Sequence, residues 1–279
     1  MCLYIASLNS GSNGNCYYIG NDNEAVLIDA GLSCRETEKR MKRLGLLIKN
    51  IKALFVSHEH ADHIFGIPVL AKKYQLPVYI TTSTLLYSGF KIDKHLIVPF
   101  RTYEPVNIGA LSITPFPKFH DASDPHSFMV EGNSVKVGVF TDIGIACDHV
   151  TMHFKQCNAA FLEANYDEQM LATGRYPYYL KERIKSIKGH LSNNAALQLF
   201  TSHKPSWMSH LILSHLSKNN NRPELVQQLF NKHAGTTRII IASRYSETSV
   251  YQINNISEPL VHSGRSVNQK PLQLSFFES

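Results

Sequence analysis

Four side chains that can bind a metal ion lie within six residues of one another: His58, His60, Asp62 and His63. In an extended segment, side chains two residues apart point to the same side, so His58 and His60 can hold one ion together. Asp62 and His63 follow at the predicted start of a helix, where they can face a second ion. Imidazole and carboxylate ligands suit Zn²⁺, Mn²⁺ or Fe²⁺ better than Ca²⁺. The spacing therefore predicts a metal centre rather than a polar loop with chance histidines.

A pair of divalent ions would define the chemistry of such a site. Two ions about 3.5–4 Å apart lower the pKa of a bridging water molecule, supply hydroxide as the nucleophile and bind a phosphoryl or acyl oxygen. Two divalent ions carry more positive charge than the carboxylate of Asp62 can neutralise, which favours an anionic substrate. The ligand types alone do not distinguish a phosphodiester from a thioester.

The elements that must position these ligands follow a mixed α and β pattern. A strand at residues 53–56 leads into the metal-binding segment, and a helix at about residues 64–74 follows it. Further strands are predicted at residues 3–8, 17–19, 25–28, 111–116, 128–130, 135–140, 159–162 and 211–213. Further helices are predicted at residues 34–44, 147–156, 193–202 and 223–232, and Ser33 and Glu36 form a capping box before the first of them.

The composition is that of a folded protein without membrane spans. The chain has 279 residues, of which 43% are hydrophobic and 18% charged, and its net charge of +6 mildly favours an anionic partner. No run of 18 apolar residues and no signal-peptide start is present, so no membrane contact is expected. Five scattered cysteines without C-x-x-C spacing predict reduced thiols in the cytoplasm. We predict one catalytic domain over residues 1–260 and a tail at 261–279 that suits a late edge strand.

The segment His58-x-His60-x-Asp62-His63 resembles the H-x-H-x-D-H motif of the metallo-β-lactamase superfamily. The resemblance implies an α/β fold, an αββα four-layer sandwich of two mixed β-sheets flanked by helices, with the site at one sheet edge. It also implies further ligands at strand ends downstream.

The resemblance implies a complete ligand set. One ion would be held by His58, His60 and His120, the other by Asp62, His63 and His215, with Asp142 bridging the two. Asp62 is also counted among the catalytic residues. Asp29 matches the family's buried structural aspartate, which is not a ligand. His126 is a rival for His120, which we prefer because it follows a predicted strand.

Two segments before the last ligand resemble the His-Ser-Thr and Glu-Ala-Thr segments of transfer-RNA-maturing members. They are Gly189-His190-Leu191-Ser192 and Glu163-Ala164-Asn165. The similarity implies that His190 delivers a proton to the leaving oxygen and that Glu163 orients His190, since imidazole titrates near neutrality. The alternatives are that His190 positions the following helix and that Glu163 makes a structural hydrogen bond.

Longer segments, over about residues 5–235, are similar to the WalJ/YycJ-like branch of the superfamily. They include SLNSGSNGNCYYI, FHDASDPHSF, FTDIG, LEANYD, GRYPYYLKERI, GHLSNNAA and LSHLSKNNNRPEL. This resemblance implies a bacterial cytoplasmic 5′-to-3′ exonuclease on double-stranded DNA that works with DNA-repair proteins. Tyr166 stands where the branch commonly has histidine, which puts a direct contact of Tyr166 with nucleic acid in doubt.

Basic residues interleaved with tyrosines precede His190, and such runs can hold phosphates and stack on a terminal base. The basic residues of this predicted nucleic-acid track are Arg175, Lys181, Arg183, Lys185 and Lys188. The alternative for this run is a solvated helix face, which is the favoured interpretation of a second basic run at residues 35–43.

The sequence thus predicts a two-metal phosphodiester hydrolase, most simply an exonuclease acting on double-stranded DNA ends with a metal-bridging hydroxide. The expected ions are Zn²⁺ or Mn²⁺, with Fe²⁺ as a further choice. An RNA-processing nuclease and a small-molecule ester or thioester hydrolase are the alternatives. A non-enzymatic metal-binding module fits less well, because the ligand set is complete and a proton donor accompanies it.

Overall fold

The structure is a computed structural model that describes residues 2–89 and 91–255. Its strands are β1 (Leu3–Asn9), β2 (Cys16–Gly20), β3 (Ala25–Ile28), β4 (Ile51–Phe55), β5 (Val78–Tyr79), β6 (Ile97–Val98), β7 (Val106–Ile108), β8 (Leu111–Pro117), β9 (His126–Gly132), β10 (Val135–Phe140), β11 (Ala159–Glu163), β12 (His210–Ser214), β13 (Arg238–Ile241) and β14 (Tyr251–Ile253). The predicted domain end at residue 260 and the tail at 261–279 lie outside the described residues.

The helices are α1 (Cys34–Arg43), α2 (Ala61–Ile64), α3 (Ile67–Tyr74), α4 (Thr82–Ser88), α5 (Asp148–Phe154), α6 (Glu168–Thr173), α7 (Tyr178–Lys185), α8 (Asn193–His203) and α9 (Pro223–Asn231). Helix α1 begins after Ser33, whose side chain accepts a hydrogen bond from the backbone N–H of Glu36 as predicted. No helix in the described part of the chain is long and apolar enough to span a membrane.

The described strands form two seven-stranded mixed sheets. The first has the order β14-β1-β2-β3-β4-β5-β6 and the second has the order β13-β12-β11-β10-β9-β8-β7. In the first sheet the neighbours from β14 to β3 are antiparallel and those from β3 to β6 are parallel. The second sheet repeats this arrangement, antiparallel from β7 to β10 and parallel from β10 to β13.

Three apolar clusters hold the layers together. Inward-facing residues of both sheets, among them Phe55, Phe128 and Phe161, form the cluster between the sheets. A second cluster lies under α1 and α3 on the outer face of the first sheet, and a third lies under α5, α8 and α9 on the outer face of the second. Helices therefore cover both outer faces, and the predicted αββα sandwich of two mixed sheets is confirmed.

The topology brings several strand ends to one edge. Strands β3 and β4 are parallel, as are β10, β11 and β12, and β8 runs in the same direction as β10 because both are antiparallel to β9. Asp29, Asp142 and His215 follow three of these ends with φ values of 60°, 54° and 55°. Left-handed backbone at non-glycine residues is costly and concentrates at functional sites.

The predicted helix over residues 64–74 is two helices, and this prediction was wrong in detail. Helix α2 ends at Ile64 and α3 starts at Ile67. Between them Gly66 packs against the backbone of Leu32, and a Cβ at Gly66 would lie 1.8 Å from the Leu32 carbonyl oxygen. The backbone N–H of Gly66 donates to the carbonyl of Ala30. This tertiary contact, which local periodicity does not report, separates the metal-binding turn from the longer helix.

Candidate metal centre

The loop that carries the predicted ligands is clamped by backbone contacts. The carbonyl oxygen of Asp62 accepts a hydrogen bond from the backbone N–H of Asn15 at 2.7 Å, and Gly31 donates to the carbonyl of Asn15 at 2.9 Å. A Cβ at Gly31 would lie only 1.7 Å from the Asp62 carbonyl oxygen, so only glycine permits this approach. The loop between β1 and β2 and the turn after β3 therefore fix the position of Asp62.

Three histidine side chains converge at the carboxyl ends of β4 and β8. Nδ1 of His60 lies 3.1 Å from Nε2 of His58 and 3.3 Å from Nε2 of His120. Nitrogens that bind one zinc ion at about 2.0–2.1 Å lie about 3.3 Å apart in a tetrahedral arrangement. His58, His60 and His120 thus have the spacing of three ligands to one ion.

Asp29 orients two of the imidazoles. Its Oδ2 accepts hydrogen bonds from Nδ1 of His63 at 2.7 Å and from the Ser57 hydroxyl at 2.8 Å, while the Ser57 hydroxyl oxygen lies 2.8 Å from Nδ1 of His58. Nδ1 of His120 similarly lies 3.0 Å from the carbonyl oxygen of Gly189. With Nδ1 engaged in each case, Nε2 is left as the ligand atom, as is usual for metal-binding histidines.

A second group lies beside the first and consists of Asp62, His63 and His215. Oδ2 of Asp62 is 3.7 Å from Nε2 of His63 and 3.6 Å from Nε2 of His215. Asp142 lies between the groups: its Oδ2 is 3.1 Å from Nε2 of His63, and its Oδ1 is 3.1 Å from Nδ1 of His215 and 3.9 Å from Nε2 of His120. Asp142 is therefore within reach of ions in both groups.

The donor set fits divalent ions. Among the described residues, Nε2 of His215 is buried without a hydrogen-bond partner, which is costly unless a further group satisfies it. The surrounding donors are imidazole nitrogens and carboxylate oxygens, the ligands preferred by Zn²⁺, Mn²⁺ and Fe²⁺. Residues present in the structure therefore provide places for two such ions.

The protonation states divide the centre into two halves. Burial lowers the pKa of His58 well below its usual value and lowers that of His120 to about 4, so both are neutral. Burial opposes the charged form of His63 as well, but the carboxylates of Asp142 and Asp29 raise its pKa to about 10. His215 and His63 in turn hold the pKa of Asp142 well below its usual range against the effect of burial. A metal ion that binds to the half of the centre containing His63 and His215 must therefore displace protons from these imidazoles.

The two residues predicted to move a proton are paired. Glu163 is fully buried, and its Oε1 accepts a hydrogen bond from Nδ1 of His190 at 2.7 Å while its Oε2 accepts from the backbone N–H of Ile143 at 2.7 Å. Burial raises the pKa of Glu163, but His190 outweighs it and lowers the pKa, so the carboxylate stays charged. The His190 ring is 22% exposed and lies 5.2 Å from the rings of both His120 and His215. Its Nε2 remains available beside the metal ligands.

Asn165, Asn193 and Asn221 form a hydrogen-bond network in the segments that carry Glu163 and His190. Asn221 donates from Nδ2 to the carbonyl oxygens of Ala164 and Asn165, and its Oδ1 accepts from Nδ2 of Asn193 at 3.0 Å. Asn165 donates from Nδ2 to the carbonyl of His215 at 2.8 Å. The loops that follow β11 and β12 and the start of α8 are thus tied together, which fixes the side chains they carry.

Most of the predicted nucleic-acid track lies on helix α7, so the run does form a helix, as its alternative interpretation expected. None of its residues is buried, and the tyrosines Tyr178 and Tyr179 are 77% and 74% exposed. The helix borders the metal centre, because Ile184 accepts a hydrogen bond from the backbone N–H of His190. The surface is therefore accessible and adjacent to the ligands.

Three cations of the track contact protein groups. Lys181 donates to the carbonyl of Ala172 at 2.6 Å. Arg183 pairs with Asp121 at 2.5 Å, and Lys185 pairs with Glu182 at 2.8 Å. Arg175 and Lys188 are exposed and have no ion pair within the described residues. The second basic run is partly structural: Arg40 is buried and donates to the carbonyl of Leu8.

Other candidates lie apart from the centre. His126, the rival of His120, contacts the Thr102 hydroxyl at 2.8 Å from Nε2 and the Asp124 carbonyl at 3.0 Å from Nδ1, and it joins none of the metal-binding groups found among the described residues. Tyr166 is 6% exposed and so does not present its ring to a ligand.

Sequence reasoning missed two polar neighbours of the centre. Asn15 places Nδ2 3.1 Å from Oδ2 of Asp62 and 3.0 Å from Nε2 of His63. Lys118 is buried and donates from Nζ to the carbonyl of Thr141 at 2.7 Å, and burial lowers its pKa. The signal for Lys118 was present, since a lone lysine near the end of an apolar strand is unusual.

Comparison with known proteins assigns the family. The model of the metallo-β-lactamase superfamily matches residues 10–168, more than half of the chain. The chain belongs to this superfamily. Over 232 residues it is 37% identical to "Exodeoxyribonuclease YycJ" of Bacillus anthracis, covering 81% of this chain and 87% of that protein. Over 224 residues it is 31% identical to "Exodeoxyribonuclease WalJ" of Streptococcus pneumoniae, covering 78% of this chain and 83% of that protein.

These matches confirm the resemblance to the WalJ/YycJ-like branch, and the chain is a hydrolase of the metallo-β-lactamase superfamily. The fold comparison agrees. The metallo-β-lactamase fold protein YhfI from Bacillus subtilis superposes with a TM-score of 0.70 at 16% identity, covering 90% of this chain and all of that one. The fold implies divalent metal ions, and the two ligand groups described above are located where this sheet edge would hold them.

Proposed function

We propose that the chain is a two-metal phosphodiester hydrolase that degrades double-stranded DNA from its 5′ ends. The observation that carries the proposal is the position of Asp142 between two groups of three ligands, with the Glu163–His190 pair beside them. The names of the two relatives, both exodeoxyribonucleases, support DNA as the substrate. DNA-repair proteins as partners and a cytoplasmic location belong to the same proposal.

The ligands would divide as their spacing suggests. His58, His60 and His120 would hold one ion, Asp62, His63 and His215 the other, and Asp142 would contact both. When bound, two such ions activate water and neutralise charge on a phosphoryl group.

Proton transfer falls to this chain's own side chains. Glu163 holds Nδ1–H of His190 and so fixes the tautomer and the direction of the ring. In its doubly protonated form, whose positive charge the Glu163 carboxylate stabilises, the ring can give the proton on Nε2 to the sugar oxygen that leaves and keep the one on Nδ1. A leaving alkoxide needs this proton, because sugar hydroxyls are poor leaving groups.

The surface of α7 would receive the backbone of the DNA. Arg175 and Lys188 are free of acidic partners within the described residues, and Arg183 could exchange its ion pair with Asp121 for a phosphate. Tyr178 and Tyr179 expose rings on which bases can stack.

One assay separates this function from its alternatives. Protein stripped of metal and reloaded with Mn²⁺ or Zn²⁺ is incubated with end-labelled duplex DNA, single-stranded DNA and RNA. We expect metal-dependent release of nucleotides from 5′ ends of the duplex. Preference for RNA would instead indicate an RNA-processing nuclease. Hydrolysis of thioesters or small esters without cleavage of any nucleic acid would indicate a small-molecule enzyme.

Charge reversal on α7 tests its role. In a variant with Lys181→Glu, Arg183→Glu and Lys185→Glu, we expect weaker duplex binding and a flatter salt dependence. Each lost phosphate contact lowers the slope of log K against log salt by about 0.9. Fluorescence anisotropy over a series of salt concentrations measures the slope.

The matched control reverses three exposed charges on α1, with Arg35→Glu, Lys39→Glu and Lys42→Glu. The control should lower affinity less, because α1 packs on the outer face of the first sheet and its exposed charges contribute only to the overall charge. Equal slopes for the wild type and the α7 variant would mean that Lys181, Arg183 and Lys185 face solvent in the complex.

A further inference from the structure

A cavity of about 360 Å³ lies beside the loop that follows His215 and is not used by the proposed reaction. Three segments enclose it: Ser10 after β1, the loop from β12 to the start of α9, and the segment that follows β13. Its size is within the range of about 300–1,000 Å³ that is usual for small-ligand pockets. The cavity therefore has room for one small molecule or one unit of a polymer.

The cavity adjoins the metal centre directly. The hydroxyl of Ser10, which lines the cavity, accepts a hydrogen bond from the backbone N–H of His215 at 2.7 Å. Leu216 and Ser217, which also line it, are the next two residues of the chain. Two residues of extended chain span at most about 7 Å, so a nucleotide that is joined to one at the metal ligands could reach the cavity.

The charge of the lining is positive. Among the described residues that line the cavity, Lys218 and Arg244 are the charged ones, and both are cations. Arg244 donates from Nη2 to the Ser12 hydroxyl at 3.1 Å, whereas its Nη1 is buried and has no hydrogen-bond partner in the described part of the chain. Lys218 is exposed and has no ion pair there either. An anionic group would satisfy both cations.

Besides the polar residues Ser10, Ser217, Asn221 and Ser243, the lining has an apolar and aromatic part. Leu216, Pro223, Ile241 and Ala242 contribute aliphatic surface, and the Tyr245 side chain is 71% exposed at the rim. A flat base can stack on such a ring, and aliphatic walls favour a base over a second charged group. Inorganic phosphate alone would use the cations but not these walls.

We propose that this cavity binds a nucleoside monophosphate unit, with its phosphate at Lys218 and Arg244 and its base against Tyr245. The inference rests on the proposed function and extends it: the terminal nucleotide is held here while the phosphodiester that follows it lies at the metal ligands. Two molecules can supply a nucleoside monophosphate unit to the cavity: the 5′-phosphorylated end of a strand and the mononucleotide that is released.

Binding to the metal-loaded, full-length protein tests the site. Calorimetry with dAMP and with inorganic phosphate is performed on the wild type, Lys218→Ala, Arg244→Ala, Tyr245→Ala and Tyr245→Phe. Each cation removed should weaken dAMP about tenfold or more, because hydrogen bonds to charged groups are among the stronger ones. Tyr245→Ala should weaken dAMP about tenfold but leave phosphate unchanged, and Tyr245→Phe should restore dAMP binding.

Arg35→Ala and Tyr87→Ala are the matched controls, since both side chains are exposed on other helices. Elemental analysis must give the same metal content in every variant. Lys218 is exposed, so Lys218→Ala keeps the test valid if Arg244→Ala disturbs the loop at Ser12. Unchanged dAMP affinity in both Lys218→Ala and Tyr245→Ala would overturn the proposal.

Kinetics distinguish the two sources. If the end of the strand occupies the cavity, the wild type prefers 5′-phosphorylated over 5′-hydroxyl duplexes, and Lys218→Ala loses this preference through KM. If the released product occupies it, Lys218→Ala loses inhibition by dAMP without a change in end preference.

The site and the proposed function can fail separately. If dAMP binds through these residues to a protein that degrades no DNA, the site is supported and the proposed function is rejected. If the wild type degrades DNA but has no affinity for dAMP, the proposed function is supported and the proposed site is rejected.

Discussion

Replacement of Asp142 by alanine is expected to abolish binding of both metal ions and to lower DNA hydrolysis about 10³-fold or more, since the ions supply several kcal/mol of transition-state stabilisation. The carboxylate of Asp142 lies 3.1 Å from Nε2 of His63, 3.1 Å from Nδ1 of His215 and 3.9 Å from Nε2 of His120. Its loss would remove the ligand that we propose the two ions share, and it leaves two buried histidines without their counter-charge. Elemental analysis after reloading with Zn²⁺ or Mn²⁺ measures the occupancy.

Asp148→Ala provides the control, because Asp148 is exposed at the start of α5 and joins none of the ligand groups formed by the described residues. It should retain both ions and full activity. Retention of two equivalents by Asp142→Ala would show that Asp142 does not bridge the ions. Loss of a single equivalent would assign Asp142 to one ion only.

The part of the centre encoded locally was predictable from the sequence. His58 and His60 alternate on an extended segment, so their shared direction follows from backbone geometry. The sandwich and the remaining ligands came from the resemblance to a known family, in which ligands follow strands. The structure brings His120, Asp142 and His215 to the same edge because β8, β10 and β12 run in the same direction within one sheet.

The contacts that hold the ligands in place could not be predicted, because they join residues far apart in the chain. Asn15 lies in the loop between β1 and β2. In the structure its backbone N–H and its side chain contact Asp62, 47 residues away. Likewise, the break at Gly66 depends on the carbonyl oxygens of Ala30 and Leu32. Such contacts have no signature in local periodicity or propensity.

The charged surface illustrates a different limit. Composition identified the basic run near His190, but a sequence does not reveal which cations have acidic neighbours. Arg183 pairs with Asp121 across 62 residues, whereas Arg175 and Lys188 have no ion pair in the described part of the chain. Binding of phosphate by Arg183 therefore requires that its ion pair with Asp121 be broken.

His190→Ala is expected to lower the turnover of DNA by about 10²–10⁴-fold, the usual contribution of general acid catalysis. His190 is not one of the ligands proposed for the two ions, although it lies in a group with Asp142, Glu163 and His215 that could also hold a metal ion. If the proposed ligand set is right, metal content and duplex affinity stay near those of the wild type. A nitrophenyl phosphodiester has an activated leaving group that departs without a proton. Hydrolysis of this substrate should therefore fall far less in the same variant, and the ratio of the two losses measures the proton transfer.

His95→Ala is the control, because His95 is an exposed histidine whose ring contacts Gln75 and lies outside the ligand groups. It should leave both substrates unaffected. Equal losses on DNA and on the nitrophenyl ester in His190→Ala, or a loss of metal, would mean that His190 only holds the site together. The distinction is decisive because the bond between His190 and Glu163 is compatible with either role. Only a proton donor makes the penalty depend on the basicity of the leaving group.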